Sequence, residues 1–208
     1  MQKNAQEFLK NLARRQISGL YCETRQQAIE AVVQRIPASA TVAFSGSLTL
    51  HQLGIISLLE SKGLQVYNHT KPGLSRQEAM QLRHQGVQAD FYLTSANALS
   101  RDGKMVFFSA WGHRIAAIAD ARQVIVVCGI NKLTGSLDEA LKRARELVTP
   151  LNCKRLNWKT PCSDGGLCRQ EDCFAPEYAR MCCQILVVEA DMLPSRMTVI
   201  LVGESLGF

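Results

Sequence analysis

The chain contains no apolar run close to the roughly 18 residues that a membrane-spanning helix needs. Its opening residues, MQKNAQEFLKNLARRQ, are polar and lack the apolar core and the small-residue cleavage site of a signal peptide. With 47% hydrophobic and 20% charged residues, the composition also excludes collagen-like, disordered and coiled-coil classes. These absences predict a cytoplasmic globular protein without a membrane span.

Several catalytic signatures are absent as well. The chain has no GxSxG elbow, no dinucleotide-binding glycine fingerprint, no HExxH pair and no complete Walker loop. Aromatic residues make up only 6%, and the basic residues are scattered without aromatic interleaving, which predicts no nucleic-acid partner. The net charge of +6 instead favours small anionic ligands such as phosphates, carboxylates or nucleotides.

The cysteine content is high for a chain of this size. A length of 208 residues predicts one domain, over 1–208, which is long enough to build a core without disulfides or bound metals. Yet the chain has eight cysteines, and five of them lie between Cys162 and Cys183. In the cytoplasm, clustered cysteines bind metal or react more often than they form disulfides. We therefore expect a metal-binding loop at about 153–183.

Alternating hydrophobic periodicities predict the fold class. The opening helix is predicted to end near Gly19, and strands and helices then alternate through residue 149. The run QVIVVCG at 123–129 is typical of a strand buried on both faces of a parallel sheet. The predicted strands are 41–45, 64–68, 90–95, 123–129, 184–190 and 197–203. This order predicts an open α/β sheet with helices on both faces.

Sites in such sheets lie outside the carboxyl ends of the strands, which selects the loops at 45–49, 94–103, 109–113 and 128–132. In the first loop, Gly46, Ser47 and Thr49 form either an anion site at a helix N-terminus or a plain glycine turn with an N-cap. In the last loop, Asn131 and Lys132 either bind a carboxylate or phosphate or lie in solvent at the sheet edge.

The two middle loops hold further candidates. Asn97 and Asp102 belong to a predicted hairpin, in which Asp102 either serves a site or only shapes the Asp102–Gly103 turn. His113, after Trp111 and Gly112, is either an acid or base near neutral pH or a structural residue at a helix start.

The cysteine spacing is Cys162-x5-Cys168-x4-Cys173-x8-Cys182–Cys183. Four thiolates from one short loop suit tetrahedral zinc or an iron–sulfur cluster. The segment is rich in Gly, Pro and Asp, and a bound metal would stabilise its ordered conformation with a binding free energy on the order of 10 kcal/mol. The spacing matches neither a CxxC…CxxC zinc ribbon nor the ferredoxin run. Unligated or redox thiols are the alternative. The remaining thiols, Cys22, Cys128 and Cys153, are expected to be separate core or surface residues.

Several segments together resemble the LUD-domain family, which is named for lactate utilisation. They are VAFSGSLTLHQLGI, ADFYLTSANALSRDGKMV, WGHRIAAI, VIVVCGINKL, the TPC…C…C…CC stretch and TVILVGESLGF. The resemblance runs from about residue 5 to the end and is closest to short, single-domain members with a cysteine-rich segment. It implies a three-layer Rossmann-like fold, similar to sugar-phosphate isomerases and coenzyme A transferases, in which the loop matching 46–49 often holds an anion. The family's motif positions fall on Asn97, Asp102, Gly103, Gly112, Arg114, Asn131 and Lys132.

The resemblance also implies a role in the oxidation of L-lactate to pyruvate beside iron–sulfur redox partners. The chain departs from the family pattern at Ser109–Ala110, commonly Asp–Gly, and at His113, commonly Asn. The expected ligands of a 4Fe–4S cluster, with zinc as second choice, are Cys162, Cys168, Cys173 and Cys182. Cys183 is a spare or alternative ligand.

Three functions follow from these observations. The first is a metal-carrying protein that binds a small anionic metabolite in organic-acid oxidation. The second is an isomerase or coenzyme A transferase on a phosphorylated substrate, for which Asp102 and Glu204 are the available carboxylates. The third is a non-enzymatic metabolite sensor or assembly partner with a zinc clip. The apolar pattern suits a monomer or a homodimer.

Overall fold

Ten strands form two sheets in the computed structural model, which describes residues 2–166, 168 and 173–208. The strands are β1 (Ser18–Cys22), β2 (Thr41–Phe44), β3 (Gln65–Tyr67), β4 (Phe91–Thr94), β5 (Ala98–Ser100), β6 (Met105–Ser109), β7 (Gln123–Gly129), β8 (Leu133–Thr134), β9 (Gln184–Val188) and β10 (Met197–Val202). The central sheet has the order β1-β10-β7-β4-β2-β3, and all of its neighbouring strands are parallel.

Nine α-helices accompany the strands in the described part of the chain. They are α1 (Gln2–Arg14), α2 (Arg25–Arg35), α3 (Leu48–Gln52), α4 (Ile55–Ser61), α5 (Arg76–Gly86), α6 (His113–Asp120), α7 (Leu137–Arg143), α8 (Thr149–Arg155) and α9 (Pro161–Gly165). A 3₁₀ turn covers Ile130–Lys132, and a π-helical turn, Ala144–Val148, joins α7 to α8. None of the described helices is long and apolar enough to span a bilayer.

Strand β7 shows why the central sheet is covered on both faces. Successive side chains of a strand point to opposite faces. Val124, Val126 and Cys128 pack with α1, α6 and β6 on one face, whereas Ile125 and Val127 pack with α2, α3 and α4 on the other. All five are buried, which explains the uninterrupted apolar run. The predicted open α/β sheet with helices on both faces is confirmed.

The opening segment differs from the prediction of a helix that ends near Gly19. Helix α1 ends at Arg14, and Ser18–Cys22 forms strand β1, parallel to β10. Gln16 lies in the left-handed region at φ 60°, which breaks the helix despite the helical spacing of Ile17. At Gly19, a Cβ atom would lie 2.7 Å from the Cδ2 of Leu9, so the glycine allows α1 to pack closely on β1.

The second sheet lies beside the first and has the order β8-β5-β6-β9. The turn at Asp102–Gly103 joins β5 to β6, as the sequence predicts, and the two strands are antiparallel. Strand β9 pairs antiparallel with β6 and does not enter the central sheet. Its residues are partly exposed, whereas every residue of β10 is buried. Met105 and Phe107 of β6 pack against the same face of the central sheet as α1 and α6.

The strand order of the central sheet creates a crevice at the carboxyl ends of its strands. Strand β3 lies on one side of β2, whereas β4 and β7 lie on the other, so the direction of winding reverses at β2. Ligands of parallel α/β sheets bind outside the carboxyl ends of the strands at such a reversal.

Candidate anion-binding cleft and cysteine cavity

Three adjoining cavities open above the carboxyl ends of β2, β3, β4 and β7. An inner cavity of about 50 Å³ and a middle cavity of about 180 Å³ share Gly46, Asn97, Arg114 and Asn152. An outer groove of about 540 Å³ shares Gly46, His69, Arg83, Leu156 and Trp158 with the middle cavity. We call these three spaces together the basic cleft.

Lys132 lies at the inner end of the basic cleft, directly after β7. Its Nζ donates to the Ser95 Oγ at 2.9 Å, to the Thr49 Oγ1 at 3.0 Å and to the Ala96 carbonyl at 3.2 Å. These contacts use all three ammonium donors, so Lys132 supplies the inner cavity mainly with charge. Burial lowers the pKa of Lys132 to about 8, which leaves the side chain mostly charged at neutral pH.

Arg114 is fixed from several sides. Its Nη1 donates to the Asn97 Oδ1 and to the Phe108 carbonyl, each at 3.0 Å, and its Nη2 donates to the Ser95 carbonyl. The Asn97 Oδ1 also accepts the Phe108 N–H at 3.0 Å, which orients the amide. Asn97 therefore positions the guanidinium, and both side chains line the inner and middle cavities.

Asn131 lies behind the cleft. Its Oδ1 accepts the Leu206 N–H at 3.1 Å, and its Nδ2 donates to the Gly207 carbonyl at 3.5 Å. Arg143 donates to the Asn131 carbonyl at 3.0 Å from α7. Through these bonds Gly207 and Phe208 are held against the inner cavity, which they line.

The loop at 45–49 has both a structural role and a place at the cleft. The Ser47 Oγ accepts the Leu50 N–H at 3.4 Å and caps the short helix α3, and the buried Thr49 accepts from Lys132. Gly46 has open space where a side chain would begin, and its backbone lines all three cavities. The backbone of this loop thus borders the space where a ligand would lie.

His113 is joined at the cleft by two residues that the sequence analysis missed, His69 and Arg83. The His69 and His113 rings lie with centroids 6.3 Å apart, and His69 stacks on Phe44 at 4.9 Å. Burial, and then the charge of Arg83, lower the pKa of each histidine to about 4. Both imidazoles are therefore neutral at pH 7. His69 follows β3 closely, so the strand-end rule would have found it, whereas no pattern marks Arg83 within α5.

Among the described residues, the charged side chains that line the basic cleft are all basic. None of the described residues that line it is an Asp or Glu, while Arg83, Arg114, Lys132 and Arg155 all contribute. Among the described residues these four side chains form no ion pair. Positive charge that is removed from water without a counter-ion is costly, so an anionic ligand would stabilise this arrangement.

Asp102 and Gly103 lie away from the basic cleft. The Asp102 carboxylate pairs with Lys104 at 3.3 Å and with Arg15 at 3.8 Å, and a Cβ at Gly103 would lie 3.0 Å from the backbone of Asn11. They attach the hairpin to α1. Glu204, the other candidate carboxylate, pairs with Arg25 at 2.7 Å and does not line the cleft either.

The four predicted metal ligands converge on one space. A void of about 10 Å³, which we call the cysteine cavity, is lined by Cys153, Cys162, Cys168, Cys173 and Cys182 together with Arg145, Thr149, Thr160, Pro161 and Met181. Cys153 therefore belongs to this group, contrary to the expectation that it is a separate thiol. Cys183 is exposed, and its Sγ donates to the Arg180 carbonyl at 3.0 Å. Residues 167 and 169–172 of the predicted loop lie outside the described residues.

The cysteine cavity offers thiol donors, which are the ligands of both zinc ions and iron–sulfur clusters. Among the described residues, no three His, Cys, Asp or Glu side chains are arranged to hold one metal ion. A tetrahedral zinc ion needs all its ligands around one point, whereas a cluster is held by four cysteines on different iron atoms. The cavity has room for about one water, so the thiols must turn outward to admit a larger group.

The cysteine cavity and the basic cleft share a wall. Thr149 and Met181 line both the middle cavity and the cysteine cavity. The Asn152 Nδ2 donates to the Met181 Sδ at 3.1 Å from the cleft side, and the Cys153 Sγ donates to the same atom at 3.8 Å from the other. The two sites are thus one side chain apart.

These features define a class of protein. It is an α/β protein with a parallel central sheet, a cationic cleft at the carboxyl ends of the strands and a cysteine cavity beside that cleft. The sequence model of the LUD domain matches residues 5–202, and the chain belongs to this family. A search of curated proteins gives no match.

The chain is similar to several solved structures, and the first of them, with a TM-score above 0.5, shows the same fold. A DUF162 family protein from Deinococcus radiodurans is 13% identical, with a TM-score of 0.57 over 97% of this chain and 98% of that chain. Ribose 5-phosphate isomerase A from Methanocaldococcus jannaschii is 16% identical, with a TM-score of 0.36 over 55% and 56%. The δ subunit of eIF2B from Chaetomium thermophilum is 17% identical, with a TM-score of 0.37 over 58% and 54%.

Proposed function

We propose that this LUD-domain protein binds a small organic anion in the basic cleft and an iron–sulfur cluster at Cys162, Cys168, Cys173 and Cys182. It serves the oxidation of lactate or a related organic acid in the cytoplasm, together with iron–sulfur redox partners. One observation carries the proposal: a cationic cleft, lined by no Asp or Glu side chain among the described residues, shares the Met181 wall with a cavity lined by all four cysteines.

The residues of the inner cavity have distinct tasks in binding the anion. Lys132 supplies a buried positive charge, and Arg114, oriented by Asn97, supplies a second. Their protein contacts hold both side chains in place before a ligand arrives, which lowers the entropic cost of binding. Because Gly46 has no side chain and the space beside its Cα is open, the ligand can approach the backbone of this loop.

The cysteine segment has a separate task. When bound, an iron–sulfur cluster supplies a one-electron carrier. Cys153, Met181 and Thr149 line the same cavity and would border the cluster. Zinc remains the second choice, and it would make the segment a structural clip.

The isomerase or transferase alternative has less support. It requires a base or nucleophilic carboxylate at the substrate, but Asp102 and Glu204 are held in ion pairs outside the cleft. The sensor alternative keeps the same anion site without turnover.

Two measurements test the proposal. Protein purified without oxygen is expected to contain iron and acid-labile sulfide and to show cluster absorbance; a sample with neither iron nor zinc contradicts the metal half. L-Lactate and pyruvate are expected to raise the melting temperature of the wild type but not of Lys132→Met. Lys142→Met, which removes an exposed lysine of α7, is the matched control. Equal shifts in all three proteins, or none, contradict the anion half.

A further inference from the structure

Three buried polar atoms have no hydrogen-bond partner among the described residues, and two of them border the basic cleft. The three atoms are the Arg83 Nε, the Tyr92 Oη and the His113 Nδ1. Arg83 and His113 line the middle cavity, and the charge of Arg83 is felt by Tyr92, His69 and His113. Buried polar groups of native proteins are nearly always satisfied, so a cluster of exceptions at one cavity points to a missing partner.

An acceptor with negative charge is the partner that best matches the unpaired guanidinium of Arg83. The Arg83 Nε is a donor only, and Arg83 has no carboxylate partner among the described residues. Tyr92 does not supply the charge, because burial raises the pKa of its hydroxyl and keeps it neutral. The two neutral imidazoles also bring no countercharge, but each can donate one hydrogen bond.

Arg83 is separate from the cations of the inner cavity. Lys132 and Arg114 both line the inner cavity, whereas Arg83, His69 and His113 do not. The middle cavity joins the two groups, because Arg114 lines it at one end and Arg83, His69 and His113 also border it. A ligand that fills the inner and middle cavities therefore meets two groups of positive charge.

We propose that Arg83, His69 and His113 form a second anion-binding subsite, so that the ligand of the basic cleft carries two anionic groups. One group lies against Lys132 and Arg114, and the second lies against Arg83. This inference rests on the proposed anion-binding function and narrows its ligand class from small organic anions in general to a dicarboxylate or a phosphorylated carboxylic acid. A guanidinium matches the planar oxygens of a carboxylate and those of a phosphate, so both sources of the second anion share this chemistry.

The test compares three ligands that share a three-carbon core: L-lactate, L-malate and phospho-L-lactate. Their dissociation constants are measured by calorimetry for the wild type, Arg83→Gln and Arg122→Gln. Arg122 is the matched control because it is an exposed arginine, paired with Asp90 outside the cleft. The wild type is expected to bind L-malate or phospho-L-lactate at least tenfold more tightly than L-lactate, and the tighter of the two identifies the second anionic group.

Arg83→Gln is expected to abolish this preference, with L-lactate binding changed by less than about threefold, and Arg122→Gln is expected to keep it. A wild type without the preference overturns the second subsite, as does an Arg83→Gln protein that loses L-lactate and the dianions equally. If no ligand binds the wild type at all, the proposed anion-binding function itself fails. His113→Asn tests the subsite where Arg83→Gln does not fold: a severalfold weaker binding of the dianions alone supports it, and unchanged dianion binding overturns it.

Discussion

The Sγ of Cys153 lies 3.8 Å from the Sδ of Met181, and this contact joins the cysteine cavity to the basic cleft. Cys153 is fully buried on α8, and its neighbour Asn152 lines the cleft and donates to the same sulfur atom. We therefore expect a rearrangement of the thiols to displace Met181, which borders the ligand space. Occupation of one site is expected to affect the other through this one side chain.

The paired cysteines at 182 and 183 are expected to behave differently. Cys182 is 8% exposed and lines the cysteine cavity, whereas Cys183 is exposed and lines a separate surface groove with Trp111. Cys182→Ser is therefore expected to lower the iron or zinc content per chain, and Cys183→Ser is expected to leave it unchanged. Elemental analysis of samples purified without oxygen measures both. Equal losses in the two variants would assign a ligand role to Cys183 as well.

Anion binding is expected to weaken above about pH 8. Burial lowers the pKa of Lys132 from 10.5 to about 8, so its charge is mostly present at pH 7 and mostly absent at pH 9. If the charged form binds the anion, the dissociation constant for L-lactate rises about tenfold between these two pH values. Lys132→Met is expected to bind more weakly and to lose this dependence. Calorimetry at pH 7, 8 and 9 measures both proteins, and a parallel pH dependence in the variant would assign the titration to another group.

The sequence predicted the central sheet well because burial on both faces leaves a strong pattern. The predicted strand at 123–129 coincides with β7. Strand β1 was missed because its partly exposed residues show no continuous apolar run, and because Ile17 continues the helical spacing of α1. Local spacing cannot register that Gln16 adopts a left-handed backbone and ends the helix.

The strand-end rule found Gly46, Asn97 and Lys132, and the family resemblance added Arg114. The structure brings all four to one cleft. The rule also selected Asp102, which lies outside the cleft, because Asn97 and Asp102 lie at opposite ends of the β5–β6 hairpin. The three residues of β5, which span roughly 10 Å at about 3.3 Å per residue, and Arg101 lie between Asn97 and Asp102. Arg83 was missed for another reason: a helix residue reaches a site only through tertiary packing, which the sequence of α5 does not encode by itself.

Two glycines of the cleft are expected to respond differently to alanine. A Cβ at Gly46 meets no atom within 4 Å, whereas a Cβ at Gly207 would lie 2.5 Å from the Thr49 Oγ1, with φ at +64°. Gly207→Ala is therefore expected to lose about 1–2 kcal/mol of unfolding free energy. Gly46→Ala is expected to keep or gain stability, by up to about 1 kcal/mol, while its methyl group reduces ligand affinity. Urea unfolding and calorimetry distinguish the two, and a destabilised Gly46→Ala protein would contradict the open space.

The buried His69 is expected to make the protein sensitive to mild acid. Its pKa falls from 6.5 to about 4 on folding, through burial first and the charge of Arg83 second. Between these values the unfolded chain binds a proton that the folded chain does not, so stability falls as the pH is lowered from about 6.5 towards 4. Integrated to pH 5, one such histidine costs about 2 kcal/mol.

The variant His69→Gln removes this term, so its stability is expected to fall less than that of the wild type between pH 7.5 and pH 5, by about 2 kcal/mol. Urea unfolding at the two pH values measures the difference, and His51→Gln, which removes an exposed histidine, is the matched control. If His69→Gln and the wild type lose the same stability, His69 is protonated in the folded protein at pH 5. Arg83 would then have a positively charged neighbour at that pH.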